Sequence, residues 1–249
     1  MHGVLKLLFV RHAQSIGNVE KRMQGQGEYD LTELGRQQAE KLGRSLLTEG
    51  LPSHVYSSPQ KRAAQTAQIM LAQLQAAPLP AAVSDLIDSD LGDSEAPTID
   101  SNSGKSIAIV YAEELKEFQN GIFQGLTWTE ATERYPEFCQ QLETSPDWIP
   151  IPAAETLQEA RSRARQFMQN LLEQHQNGDR VWIITHSWIL QHLIAELLGS
   201  DRSWRIRATN TALFEFWIDR SRWDRSDQNR YNTDLWQVRR FNDAHHLQL

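Results

Sequence analysis

The stretch LLFVRHAQSIGN at residues 7–18 places an arginine and a histidine, Arg11 and His12, at the end of an apolar run. A short run rich in Leu, Phe and Val is typical of a buried strand, and we predict one over residues 4–10. A second apolar run, RVWIIT at 180–185, is followed by His186 in the same way. Parallel α/β sheets bind ligands at the carboxyl ends of their strands. We therefore expect His12 and His186 to meet at one sheet edge if the two strands are neighbours.

Strands and helices alternate along most of the chain. Apolar residues at helical spacing predict helices within 31–50, 60–76, 155–176 and 189–199. Further strands are predicted at 54–58 and, as a closing hairpin, at 211–218 and 235–241. This order predicts an α/β fold, a three-layer sandwich with a mainly parallel central sheet flanked by helices.

Other segments carry weaker patterns. Residues 78–112 are dominated by Pro, Ala, Ser and Asp, as is typical of an exposed loop. A short helix ending at Pro136 is predicted within TWTEATERYPEF, and extended chain is predicted over 145–155. His245 and His246 are expected to lie in a loose tail.

Composition excludes several classes of function. The 249 residues carry a formal net charge of −7, whereas nonspecific nucleic-acid binding depends on a basic surface, so no nucleic-acid partner is expected. The one cysteine, Cys139, cannot form an internal disulfide, which fits a reducing compartment. The sequence shows neither a signal-peptide layout nor the roughly 20 apolar residues that span a membrane. We expect a cytoplasmic protein without a membrane partner.

Several motifs in order resemble those of one family. RHAQSIGN at 11–18 is similar to the Arg-His-Gly-Glu/Gln-Ser/Thr-x-x-Asn motif of the histidine phosphatase superfamily, also called the phosphoglycerate mutase-like family. The similarity continues through LTELGRQQA (31–39), VYSSPQKRAAQTA (55–67), EFQNGIFQG (117–125), AAETLQEARSR (153–163), WIITHS (182–187) and ATNTALFEF (208–216). It implies the phosphoglycerate mutase-like fold as one domain over 1–249, with a variable insertion or cap segment at about 78–155. Only the loop near 85–110 has no counterpart.

The resemblance implies a phosphate pocket at the end of the first strand. His12 matches the family's nucleophile, which forms a phosphohistidine, and a neutral imidazole is a competent nucleophile toward phosphorus. Arg11, Arg62 and His186 match the groups that hold the phosphate, and Asn18 adds a neutral donor. Such donors stabilise the charge that develops on the transferred phosphoryl group.

A leaving alkoxide needs a proton, and Glu117 matches the carboxylic acid that supplies it. Ser15 and Glu155 are expected to support the site rather than to react. The eight histidines show no metal-ligand spacing along the chain. The expected enzyme is therefore a metal-independent phosphatase of small phosphate monoesters such as phosphosugars, without a cofactor and either a monomer or a homodimer.

Two other functions remain open. A cofactor-dependent phosphoglycerate mutase usually continues its acidic motif with a polar, lysine-containing extension, which FQNGIFQGLTW at 118–128 lacks. The second is a phosphate-binding pseudoenzyme or interaction module. The sequence argues against it because it keeps every reactive residue of the family: Arg11, His12, Arg62, Glu117 and His186. The sequence departs from the family at Ala13, at Ala153-Ala154 and at Ser187-Trp188, where smaller residues are usual. Trp188 either lines the substrate pocket or packs into the helix behind it.

Overall fold

A computed structural model describes residues 3–76, 107–225 and 228–248. Its strands are β1 (Leu5–Arg11), β2 (His54–Ser57), β3 (Ile109–Tyr111), β4 (Arg180–Thr185), β5 (Leu213–Ile218) and β6 (Trp236–Asp243). Its α-helices are α1 (Ile16–Val19), α2 (Glu33–Leu46), α3 (Lys61–Ala76), α4 (Trp128–Arg134), α5 (Pro136–Thr144), α6 (Leu157–Gln174) and α7 (Ser187–Leu197). Most of the loop expected near 85–110 lies outside the described residues. Within the described part, no helix has the length and apolarity needed to cross a membrane.

The described strands form one sheet of six in the order β3-β2-β4-β1-β5-β6. The neighbours from β3 to β1 pair in parallel. β5 pairs antiparallel with β1, and β6 returns antiparallel along β5 as the expected hairpin. The prediction of a mainly parallel central sheet is confirmed.

Alternation along β1 explains the layers on either side of the sheet. Leu7 and Phe9 face one cluster of buried residues, which they share with α6 and α7. Leu8 and Val10 face the opposite cluster, which they share with α2 and α3. Since successive side chains of a strand point to opposite faces, one apolar run buries both sides of the sheet, and the predicted three-layer sandwich is confirmed.

Two elements differ from the prediction. Residues 109–111, within the predicted loop, form the edge strand β3 beside β2. With only three residues, this strand is too short to show a period of its own. Pro136 begins a helix rather than ending one: α4 stops at Arg134, and Pro136 occupies the first turn of α5. A proline costs no helical hydrogen bond there, because the first N–H groups of a helix have no partner within it.

The expectation of a loose tail is wrong for His246. Its side chain is buried, and its Nε2 lies 2.9 Å from the hydroxyl oxygen of Thr211. Thr211 donates its own proton to the Asn210 carbonyl at 2.6 Å, so its oxygen accepts from His246. Of the two histidines, only His245 is exposed. The polar bond to Thr211 holds this end of the chain against the segment before β5.

Candidate active site

The carboxyl ends of β1 and β4 bring His12 and His186 together. The two strands are parallel neighbours with Arg11 opposite Thr185. The backbone N–H of His12 donates to the carbonyl of Thr185 at 2.9 Å. As a result, the imidazole centroids of His12 and His186 lie 5.1 Å apart.

His12 is buried, and the backbone fixes its tautomer. Its Nδ1 lies 2.7 Å from the carbonyl oxygen of Ala13, and since a carbonyl can only accept, Nδ1 carries the proton. Burial, followed by the positive charges of Arg62 and Arg11, holds the pKa of His12 well below its ordinary value, although the bond to Ala13 acts in the opposite direction. At neutral pH, His12 is therefore a neutral imidazole whose Nε2 keeps its lone pair.

His186 is fully buried with one nitrogen uncommitted. Its Nε2 lies 2.8 Å from the hydroxyl of Ser58, and that hydroxyl also accepts from the Gln60 N–H at 3.3 Å. Ser58 can thus give its proton to Nε2, which leaves the proton of His186 on Nδ1. Among the described residues, Nδ1 has no hydrogen-bond partner. Burial is the main cause that lowers the pKa of His186, and the charge of Arg62 adds to it.

Arg62 is held rigidly although its side chain is almost completely buried, with 1% of it exposed. It donates to the carbonyls of Gly27 and Gly25, each at 2.8 Å. Burial lowers its pKa to about 10, with the charge of Glu117 acting against that shift, so the guanidinium stays charged at neutral pH. This arginine is part of the core of the site and not a solvated helix residue.

Arg11 completes a buried cationic pocket around His12. Its Nη1 donates to the Ala208 carbonyl, and its pKa is lowered by burial and raised by the charge of Glu117. The Nε atoms of both Arg11 and Arg62 are buried without a partner in the part of the chain that the structure describes. One buried and one half-buried cation with unused donors are costly unless an anion pairs with them. The pocket is therefore built for an anionic ligand.

Asn18 and Ser15 fix the loop that follows β1. Asn18 Oδ1 accepts from the N–H and the hydroxyl of Ser15, both at 3.0 Å. It also accepts from Asn210 Nδ2 at 3.3 Å. Because its oxygen is occupied in this way, the amide nitrogen of Asn18 is the group left to bind a ligand.

The carboxylate of Glu117 is anchored at the N-terminus of α7. Its Oε1 accepts from the backbone N–H groups of Trp188 and Ile189, both at 3.1 Å, and from that of Phe118 at 2.9 Å. A negative charge on Glu117 opposes the lowering of the pKa of both pocket arginines by burial. Backbone donors thus hold a carboxyl group beside the cationic pocket.

Glu155 acts on the site through Arg163. The two side chains form a bidentate ion pair at 2.9 and 2.8 Å. Arg163 also donates to the carbonyls of Glu114 and Lys116 at 2.6 and 2.7 Å. Because these carbonyls precede Glu117 in the chain, the ion pair positions the acidic segment.

Three polar residues of the site were not singled out from the sequence. Ser58 contacts His186 as described above, and Asn210 donates to the carbonyl of His12 at 2.9 Å. Gln60 accepts from the N–H of Glu117 at 2.8 Å and donates to the Gly25 carbonyl at 3.0 Å. All three lie inside the motifs that resemble the family. The sequence gives no other indication of their roles, because these roles depend on contacts between distant segments.

Trp188 lines a cavity beside the site. Its ring centroid lies 4.9 Å from that of Phe118 and 5.8 Å from that of Trp148. These tryptophans, with Arg161 and Arg202, border an open space of about 840 Å³. Trp188 is therefore a cavity-lining residue, and its contact with a substrate stays a prediction.

Comparison with known proteins agrees with this geometry. The family model described as "Histidine phosphatase superfamily (branch 1)" matches residues 7–104 and 96–230. The chain is 29% identical over 204 residues to the metal-independent phosphoserine phosphatase of Arabidopsis thaliana, covering 82% of this chain and 73% of that protein. It is 26% identical over 244 residues to phosphoglycerate mutase-like protein 4 of the same plant, covering 98% of this chain and 87% of that protein. The solved structure of YhfR from Bacillus stearothermophilus superposes with a TM-score of 0.70 at 24% identity and covers 98% of this chain and 99% of its own.

Proposed function

The chain belongs to the histidine phosphatase superfamily (branch 1), and on that premise we propose that it hydrolyses small phosphate monoesters through a phosphohistidine on His12. The observation that carries the proposal is the tautomer of His12. Its proton is fixed on Nδ1 by the Ala13 carbonyl, which leaves Nε2 free inside a buried cationic pocket.

In the first step, the Nε2 lone pair of His12 attacks phosphorus. The bond from phosphorus to the ester oxygen breaks, and the leaving alkoxide takes a proton from Glu117, which receives that proton from the phosphate monoanion of the substrate when the substrate binds. Arg11, Arg62, the Nδ1–H of His186 and the amide of Asn18 stabilise the three other phosphoryl oxygens. A P–N bond has then replaced the P–O bond, and the free alcohol leaves.

In the second step, water attacks the phosphohistidine. Glu117, now a carboxylate, takes a proton from the water as the new P–O bond forms and the P–N bond breaks. Inorganic phosphate is released, and His12 returns to the neutral form that its Nδ1 bond favours. The two arginines supply the positive charge that this chemistry needs.

The substrate class we propose is a small phosphorylated metabolite. Relatives named for phosphoserine and for phosphoglycerate support it. Cys139 is free and buried, which is compatible with the reducing cytoplasm, where we place the reaction.

The test is phosphate release from an aryl phosphate and from a panel of small phosphomonoesters, with a chelator present. We expect release by the wild type and a loss on the order of 10³-fold or more in His12→Ala, since no other group replaces the covalent intermediate. His245→Ala, which removes an exposed histidine, is the matched control and should retain full activity. Activity that survives in His12→Ala would overturn the proposal. If the wild type releases no phosphate but interconverts phosphoglycerates with a priming bisphosphate, the enzyme is a mutase.

A further inference from the structure

A second cluster of reactive side chains lies at the opposite edge of the sheet. His54 begins β2, His175 follows the last residue of α6, and Asp179 lies directly before β4. One ligand atom from each of these residues lies within 4.8 Å of the others. The four residues of β2 span about 13 Å at the usual rise of a strand. The cluster therefore lies about that far from the edge of the sheet that holds the active site.

The hydrogen bonds of His175 leave a lone pair aimed into this cluster. The Tyr56 hydroxyl donates to Gln174 Oε1 at 3.2 Å, so its oxygen accepts from His175 Nε2 at 2.9 Å. His175 is 4% exposed, and its Nδ1 has no hydrogen-bond partner among the residues described. This Nδ1 lies 3.4 Å from Asp179 Oδ2. Two acceptors therefore face each other with no donor between them.

A cation between these two acceptors would satisfy both. We propose that His54, His175 and Asp179 bind Zn²⁺ or a similar transition-metal ion, with a fourth position open to water. Imidazole nitrogen and carboxylate oxygen bind zinc at about 2.0–2.2 Å, so ligand atoms of a tetrahedral site are about 3.3 Å apart. The separation of 3.4 Å between His175 and Asp179 fits this value. Two imidazole ligands favour zinc over Mg²⁺ and Ca²⁺, which take oxygen ligands.

Neighbouring groups orient each ligand. Tyr56 and Gln174 fix the ring of His175, as the outer partners of metal-bound histidines do. Asp179 Oδ2 accepts from the Gln176 N–H at 3.0 Å. His54 Nδ1 lies 3.0 Å from the hydroxyl of Ser53, which leaves Nε2 for the metal. His54 is exposed, so its side chain can rotate toward the ion.

The bound ion would link the start of β2 to the turn between α6 and β4. Because the site is at the far edge of the sheet from His12, metal binding should stabilise the fold and leave phosphate release unchanged. Stabilisation follows from binding to the folded state alone. The alternative without a metal is a simple ion pair between protonated His175 and Asp179.

Calorimetric titration of chelator-stripped protein with Zn²⁺ tests the site. The titration uses the His12→Ala background, so that the paired active-site imidazoles cannot bind the metal. We expect one equivalent to bind with a dissociation constant in the micromolar range or tighter. His54→Gln and Asp179→Asn should each weaken binding at least about tenfold. His245→Gln, the same change at an exposed histidine outside the cluster, should bind like the parent.

Thermal unfolding with and without Zn²⁺ provides the second readout. The midpoint should rise with zinc in the parent and in His245→Gln, and should not rise in His54→Gln. A cooperative transition in each variant shows that it is folded. No binding by the parent, or equal binding by the parent and both cluster variants, would overturn the proposal. Phosphate release by the wild type is measured separately, so either proposal can fail without the other.

Discussion

At the scale of the residue, the position of one proton decides what His12 can do. The Ala13 carbonyl places it on Nδ1, and the reactive lone pair is consequently on Nε2. The motif around residues 11–18 could identify His12, but it could not specify the tautomer, which depends on a backbone carbonyl. Similarly, Asn210 could not be assigned beforehand, because it reaches His12 from a segment far along the chain.

The role of Glu117 can be tested by varying the leaving group. Glu117→Gln removes the proton donor, so hydrolysis of an alkyl phosphate should fall about 10²-fold or more. An activated aryl phosphate, whose leaving group needs no proton, should lose far less in the first step. Comparing kcat/KM for the two substrates gives the result. Glu113→Gln changes an exposed neighbour of the same type and should affect neither substrate. Equal losses for both substrates in Glu117→Gln would remove Glu117 from the acid role.

At the scale of the element, the long periodic segments were predictable and the short ones were not. β1, β4 and α6 are long enough to show the period of their buried faces. β3 has three residues and forms by pairing with the edge of β2. The local sequence cannot predict this strand, because the pairing is a tertiary contact. The pattern around Pro136 predicts the end of a helix, but a proline is equally compatible with the first turn of the next helix, where the structure has it.

The loop before α6 contains a departure from the family with a measurable cost. Ala153, in the segment that lacks the family's glycines, takes a φ of +58°. The left-handed conformation costs a residue with a side chain about 1–2 kcal/mol. This loop packs on Gly121, where an added Cβ would lie 2.1 Å from the Pro152 carbonyl oxygen. The close packing against Gly121 therefore holds the backbone of residues 152–154 in place.

Ala153→Gly should raise the free energy of unfolding by about 0.5–1 kcal/mol, because relief of the left-handed strain exceeds the entropy that glycine adds to the unfolded chain. Ala154→Gly is the matched control: Ala154 does not have a positive φ, so the same change should lower the free energy of unfolding. Urea denaturation of the three proteins measures both values. A loss of stability in Ala153→Gly equal to that in Ala154→Gly would contradict the account.

At the scale of the whole molecule, buried neutral histidines couple stability to pH. Burial lowers the pKa values of His192 and His246 to about 4, whereas an unfolded histidine titrates near 6.5. Between these values, the unfolded chain binds more protons than the folded one, so stability falls as the pH drops from about 6.5 toward 4. His12 and His186 act in the same direction.

The contribution of His246 can be isolated because it lies outside the active site. His246→Gln retains a donor for Thr211 but cannot take up a proton on unfolding. Its free energy of unfolding should therefore fall less than that of the wild type between pH 7 and pH 5, by on the order of 1 kcal/mol. Denaturant titrations at the two pH values measure the difference, with His245→Gln as the exposed control. An identical pH dependence in His246→Gln and the wild type would show that His246 is not a buried neutral group.

The central claim for the molecule is that phosphate passes through His12, and its most direct test is to trap the phosphoenzyme. Wild type and His12→Ala are mixed with an aryl phosphate, quenched without acid because phosphohistidine is acid-labile, and analysed by intact mass and peptide mapping. The account predicts the mass of one phosphoryl group on the peptide that contains His12 in the wild type, and none in His12→Ala. Rapid turnover by the wild type with the label on another residue, or with no covalent label at any time of quenching, would contradict it.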